Sequence, residues 1–432
     1  MNISLLSRWH RARQAWVMTI TCALAIVALL ASCGNEDVTD VNDINKQTVL
    51  VFMPWTGNDD GSQGLYSYFQ QNLDSIEQAI VANKGYSGRL MVFLSTSANA
   101  SSLYEVTYQA GAIFHTPVKT YEGSDYITAQ GITQILGDVK THAYALNYAM
   151  IIGGHGCGWT YASDWLQPSA PRQERLWPGS GAKAYPQTRF IGPARPGSHA
   201  IDVETLAQGI SEAGVKLQYL LFDNCYMANV ETAYALRQAT NWLVASTSEV
   251  MATGMPYASM WQHLASPTPS YEGIVSAFHT YYTHYPTPCG TLSAIDCRQM
   301  EALAYIMRNI NRHYTLADPL ADSIQVLDGY GTPLFFDLGS YVSHLCTNAS
   351  LRSDFEAQLK RTVPYSATTD TLYSNLYGHP VYLQVKQFCG LTISDPSRNT
   401  VAANGKRKTA WWKATHDESP LVTQEDTKRE KK

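Results

Sequence analysis

A chain of 432 residues, 45% of them hydrophobic, can bury a large core, either as one big α/β domain or as two smaller ones. Its formal net charge of −5 is mild and unclustered. That argues against a nucleic-acid partner, which would call for a basic face.

The N-terminus reads as a targeting segment outside the fold. Arg8, Arg11 and Arg13 precede an apolar run from Ala15 to Leu30, the layout of a signal-peptide core and short for a membrane-spanning helix. The run closes on Leu30-Ala31-Ser32-Cys33, which resembles the bacterial lipobox, whose cysteine becomes the lipidated first residue of the mature protein. Residues 33–46 follow as a polar tether. Its acidic start, Gly34-Asn35-Glu36-Asp37, resembles the surface-export signal of some Gram-negative lipoproteins. The expectation is a protein of the bacterial cell envelope, attached to the outer membrane or cell surface through lipid on Cys33.

One domain is expected over 47–400. Thr48 to Met53 reads as a buried strand broken by Pro54, and Leu65 to Ile80 as a helix. Arg89 to Leu94 and Leu103 to Thr107 read as strands, and Ile127 to Ala143 as a second helix. Short apolar strands alternating with helices of this length predict a largely parallel sheet covered on both faces.

The next strand, Tyr148 to Ile152, has the apolar density of one buried on both faces, and Gly153-Gly154 ends it with residues free to take positive φ. His155 is thereby delivered at a strand's carboxyl end. Leu217 to Phe222 repeats the design, setting Asp223, Asn224 and Cys225 before an alanine-rich helix expected from Met227 to Gln238. Both residues leave neighbouring strands on the edge where open α/β sheets bind ligands. A thiolate needs its proton removed or its charge stabilised, and an imidazole together with a helix N-terminus would do both. Gly156, lacking a side chain, leaves its N–H open toward a substrate carbonyl. With the N–H of Cys225 it could form an oxyanion hole. Taken singly, a cysteine or a histidine is more often a packing residue than a catalyst; the paired strand-end placement favours chemistry.

At these residues the sequence resembles the clostripain-like cysteine peptidases, part of the wider group that includes caspases, legumains and gingipains. The resemblance is carried by Gly153-Gly-His-Gly-Cys-Gly-Trp159, by Asp223-Asn-Cys-Tyr-Met227 with Glu231 and Ala233-Tyr234 on the following helix, and by the order His before Cys. It implies a three-layer α/β/α sandwich with a mostly parallel central sheet and a Cys–His dyad that forms a thioester acyl-enzyme on protein or peptide substrates. It also implies frequent cleavage after Arg or Lys and no metal in the chemistry, though calcium could serve structure or activation as in some relatives. Two rival readings stand beside it: a surface lipoprotein that keeps the fold to bind peptides without turnover, and, more weakly, a serine-type or metal hydrolase.

From Ser163 to His199 there is no sustained periodicity, but five basic residues occur: Arg172, Arg175, Lys183, Arg189 and Arg195. A loop this long is functional or disordered. It reads either as a surface excursion or as an activation loop, since it leaves the histidine turn and carries the residue type the family often cleaves. Asp202 looks like an N-cap for a helix from Val203 to Ala213. After the strand Trp242 to Ser246, the turn Thr247-Ser248-Glu249 borders the same edge. Asp223 and Glu249 are the carboxylates best placed to receive a basic P1 side chain, because a guanidinium is held best by a planar carboxylate in a partly dry pocket. Either could instead be a cap; for Asp223 the matching family position favours the pocket.

Helices at Tyr271 to Tyr285 and Arg298 to His313 surround a strand at Thr291 to Ile295, and Val381 to Val385 and Gly390 to Ile393 read as late strands. With Cys22 removed and Cys33 lipidated, six cysteines remain, at spacings that form no zinc pattern. An exported chain could pair some of them, but Cys289 and Cys297 flank a strand that would hold them too far apart to bridge and are read as structural thiols. Cys157 is a rival nucleophile for which packing is the favoured role. Residues 401–432 read as a polar tail in which Trp411-Trp412 could dock.

Overall fold

The computed structural model describes residues 44–57, 64–165, 199–376 and 380–416. The signal segment, Cys33, most of the tether, most of the 163–199 segment and the last residues of the tail lie outside these. The frame is built from β1 (Gln47–Met53), β2 (Arg89–Ser97), β3 (Ala100–Gln109), β4 (Ala112–Glu122), β5 (Asn147–Gly153), β6 (Leu220–Asp223), β7 (Trp242–Ala245) and β8 (Thr291–Asp296). They are followed by β9 (Phe336–Asp337), β10 (Tyr365–Thr368), β11 (Thr371–Ser374), β12 (Val381–Gln384) and β13 (Thr392–Ile393). Nine strands join one sheet in the order β10-β8-β7-β6-β5-β1-β2-β3-β4, while β11 pairs with β12 and β13 with β9.

The centre of the sheet, β2-β1-β5-β6-β7, is parallel throughout. β3 and β8 pair antiparallel with both of their neighbours, so these two alone run against the rest of the sheet. Parallel strands need cover on both faces, and β1 shows the consequence: every one of its residues is buried. The pleat divides them. Leu50 and Phe52 enter a core with Ile132, Ile135, Leu206 and Leu303, from helices Ala129–His142, Val203–Glu212 and Met300–His313. Val49, Val51 and Met53 enter the opposite core with Phe69, Ile76, Trp261 and Phe278, from helices Tyr66–Ala82, Tyr257–Leu264 and Tyr271–Thr283. This is the three-layer α/β/α sandwich.

Four local expectations change. β4 had no expectation at all: it is the sheet's edge, mostly exposed, so its sequence lacks the apolar density of a central strand, and Pro117 sits at an irregularity in its register. The helix after Cys225 starts at Val230, not Met227, because Asn229 caps it by accepting the Thr232 N–H at 3.0 Å. Asp202 precedes its helix, but its carboxylate accepts the Ala162 N–H at 3.0 Å instead of capping. The polar tail begins later than 401, since Thr400–Gly405 and Ala410–Thr415 are helical. Trp411 docks fully buried against Tyr234, its ring 5.7 Å away and edge-on. Among the described residues no helix is long and apolar enough to cross a membrane.

Candidate active site

Strand register sets His155 and Cys225 on adjacent strand ends. Gly153 of β5 pairs with Asp223 of β6, so His155 and Cys225 each stand two residues beyond a matched pair, on strands about 4.8 Å apart. The Asn224 side chain joins the two turns by donating to the His155 carbonyl at 2.8 Å. Gly156 lies so close to the cysteine turn that a Cβ there would sit 2.3 Å from the Cys225 carbonyl oxygen and 3.1 Å from its nitrogen. No side chain fits at that position. Gly158 takes φ +67°, with the Phe335 ring and Asn229 filling the space a side chain would need. Trp159 then pins the turn's far end, its buried Nε1 donating to Ser394 Oγ at 2.8 Å.

The cysteine turn is built from braces. Cys225 has no exposed surface, and its Sγ accepts the Val250 N–H at 3.2 Å. Tyr226 takes φ +60°, a conformation uncommon for a bulky residue and kept only where the surroundings enforce it. Its N–H donates to the Ser248 carbonyl at 3.0 Å, its hydroxyl to Glu249 at 3.0 Å, and its ring stacks on Phe335 at 5.1 Å. Two residues on, the Ala228 N–H donates to the Ser246 carbonyl at 2.8 Å. The expected helix N-terminus at the thiol is therefore replaced by the turn after β7: the helix Val230–Leu236 starts too far along and is short, whereas the Val250 amide points at the sulfur.

The two candidate carboxylates differ in their engagement. Asp223 is fully buried and accepts the Tyr257 hydroxyl at 2.9 Å. Glu249, also buried, accepts from the Tyr226 and Ser374 hydroxyls and from the Asn375 N–H at 3.3 Å, which makes it a brace between the cysteine turn and β11. Cys157 Sγ accepts the Thr160 hydroxyl at 3.2 Å, and burial pushes its thiol up from the ordinary value, as suits packing. All six described cysteines are unbridged. Among the described residues no group of His, Cys, Asp and Glu is arranged to hold a metal.

Some contributors have no sequence signal. The Val250 amide could not be named, because a backbone donor has no residue type. Glu231 entered only through the family pattern; it is a buried carboxyl accepting the Ser394 N–H at 2.8 Å, so it ties β13's end to the helix Val230–Leu236. Burial, with Asp395 nearby, raises it to about 8, and burial raises Asp395 to about 7.

The sequence model of the Clostripain family matches residues 55–379. The chain belongs to the clostripain family of cysteine peptidases. Iotapain, a secreted C11 cysteine protease of Bacteroides thetaiotaomicron, is 40% identical with a TM-score of 0.76, the match covering 86% of this chain and 99% of that one. A clostripain of B. thetaiotaomicron ATCC 29148, solved with the peptide inhibitor BTN-VLTK-AOMK, is 46% identical over 53% of this chain and 100% of its own, with a TM-score of 0.50. An inactive zymogen C11 protease of Parabacteroides distasonis shares the fold at 22% identity and a TM-score of 0.70, over 87% of this chain and 99% of that one. No curated protein matches the sequence. With this fold and family membership, the chain is a cysteine peptidase.

Proposed function

We propose that this peptidase cuts after lysine or arginine through a dyad of Cys225 and His155. His155 takes the thiol proton, and the Cys225 sulfur attacks the scissile carbonyl carbon. The resulting oxyanion accepts from the N–H groups of Gly156 and Cys225. The intermediate collapses to a thioester as His155 protonates the departing amine, and water, deprotonated by His155, hydrolyses the thioester and restores the thiol. The observation that carries this reading is the β5–β6 register, which sets His155 level with Cys225 and Gly156 against the Cys225 nitrogen.

Asp223 is the residue assigned to the basic P1 side chain, ahead of Glu249, because it stands at the matching position of the family pattern, two residues before Cys225. The lysine that ends the VLTK peptide of the inhibitor bound by the B. thetaiotaomicron clostripain supports a basic P1. Fluorogenic peptides differing only at P1 test it. Arg and Lys should lead, and Asp223→Ala should cost mainly activity on them; a preference for Asp, Asn or an aromatic residue would sink the assignment.

Latency belongs to the same proposal. Tyr161 donates to Glu204 at 2.8 Å and the Ala162 N–H to Asp202 at 3.0 Å, so the ends of the 163–199 segment are tied together and a cut between them would not part the chain. The buried state of Cys225 fits a resting enzyme. N-terminal sequencing of the active form decides, and full activity with the segment intact would refute latency. Export with lipid attachment at Cys33 is proposed on the leader sequence and on the secreted state of iotapain.

A further inference from the structure

The lipid attachment proposed at Cys33 has a geometric consequence. β1, β5, β6 and β7 are parallel, so their amino ends share one edge of the sheet while His155 and Cys225 occupy the other. The tether enters at the amino edge: the Asn45 carbonyl accepts the Leu146 N–H at 3.0 Å, and that of Lys46 accepts the Asn147 N–H at 3.2 Å. Beside this entry two side chains that a folded core would normally cover stand in solvent, Tyr144 at 66% exposure and Leu146 at 58%. Lys46 leads into β1, Lys216 leads toward β6, and Lys84 joins the helix Tyr66–Ala82 to β2, all three exposed on the same edge. Tyrosine, leucine and lysine with a long apolar stem are side chains that settle at a lipid–water boundary. The acids Glu212 and Glu272 are exposed along this edge too, so net charge is not what would draw it to lipid.

Tether length limits the alternatives. Only residues 34–44 separate Cys33 from Asn45, a reach of at most about 40 Å when fully extended. A folded unit of this size has a radius of gyration of about 21 Å and is about 55 Å across. A tether that starts at the amino edge is too short to pass round the domain and bring the opposite edge to the bilayer.

We propose that the lipid-anchored protein rests on the membrane by the amino edge of its sheet, around Tyr144 and Leu146, and holds its peptidase cleft on the far side, open to soluble polypeptides. The inference rests on the proposed lipidation, and the two fail differently. The test uses the lipidated mature protein bound to phosphatidylethanolamine–phosphatidylglycerol vesicles, acylated with a membrane-impermeant lysine reagent and read residue by residue by mass spectrometry, against the same protein made from Gly34 onward, without leader or lipid, free in solution. Lys46, Lys84 and Lys216 should react several-fold more slowly on vesicles. Lys408, which pairs with Asp164 just beyond the histidine turn, should react at the same rate in both. Equal rates at all four, or protection of Lys408 instead, overturn the orientation while leaving the anchor intact. A mature protein whose mass lacks acyl chains overturns the anchor and the orientation with it.

Discussion

The turns that carry His155 and Cys225, the proposed dyad, each fix a residue at a strand end, and they do so in opposite ways. The histidine turn works by omission: Gly156 has no side chain where one would strike Cys225, and Gly158 takes a positive φ against Phe335. The cysteine turn works by addition, holding Tyr226 at φ +60° with Ser248, Glu249 and Phe335. An omission is vulnerable to any added atom. A braced turn is vulnerable to the loss of any one brace, but only by that brace's share.

Substitutions can break this contrast, beginning with the chemistry both turns serve. Cys225→Ala should lower peptidase turnover by on the order of 10³-fold or more with little change in melting temperature, measured on a fluorogenic lysine peptide. Gly156→Ala adds one methyl 2.3 Å from the Cys225 carbonyl; displacing the turn by about 1 Å should cost roughly 10²-fold in kcat/KM. If that variant keeps parental activity, the histidine turn is not built on omission. Tyr226→Phe deletes one brace, the hydroxyl on Glu249, and should cost about 1–2 kcal/mol in urea unfolding, because a buried carboxylate loses a donor. A larger loss of activity than of stability there would show that this brace also aims the thiol.

An effect on stability alone concerns Glu231, which ties the cysteine helix to β13. Its folded value of about 8 against an ordinary 4.5 means that the folded protein keeps a proton the unfolded chain gives up. Stability should therefore fall as pH rises from about 4.5 to about 8, and level off above. Glu231→Gln keeps an acceptor for the Ser394 N–H and removes that fall, so its melting temperature should match the parent at pH 5 and exceed it at pH 9. The same sign applies to Asp395, which rises from 3.8 to about 7.

The asymmetry between the turns also explains what could be read from sequence. Glycine and histidine at alternate positions leave a visible pattern, and the strands before both turns are apolar because both of their faces are covered, so the sandwich was legible and so was the adjacency of the two turns. The brace at Tyr226 was not: nothing in Cys-Tyr-Met announces a positive φ, since the partners that enforce it come from residues 246–249 and from Phe335. The misplaced helix start has the same cause, for Met227 and Ala228 suit a helix but the amides of Tyr226 and Ala228 are claimed by the turn after β7. β4 was missed because an exposed edge strand carries little apolar signal, and Trp411's burial depends on Tyr234, far away in sequence.

Cys225, not Cys157, is the thiol proposed to attack substrate. Treating the active enzyme with a thiol-alkylating peptidyl probe that carries lysine at P1, then mapping the adduct by mass spectrometry, tests it most directly. The adduct should fall on Cys225 alone and vanish in His155→Ala; an adduct on Cys157, or inhibition without any adduct on Cys225, would contradict the account.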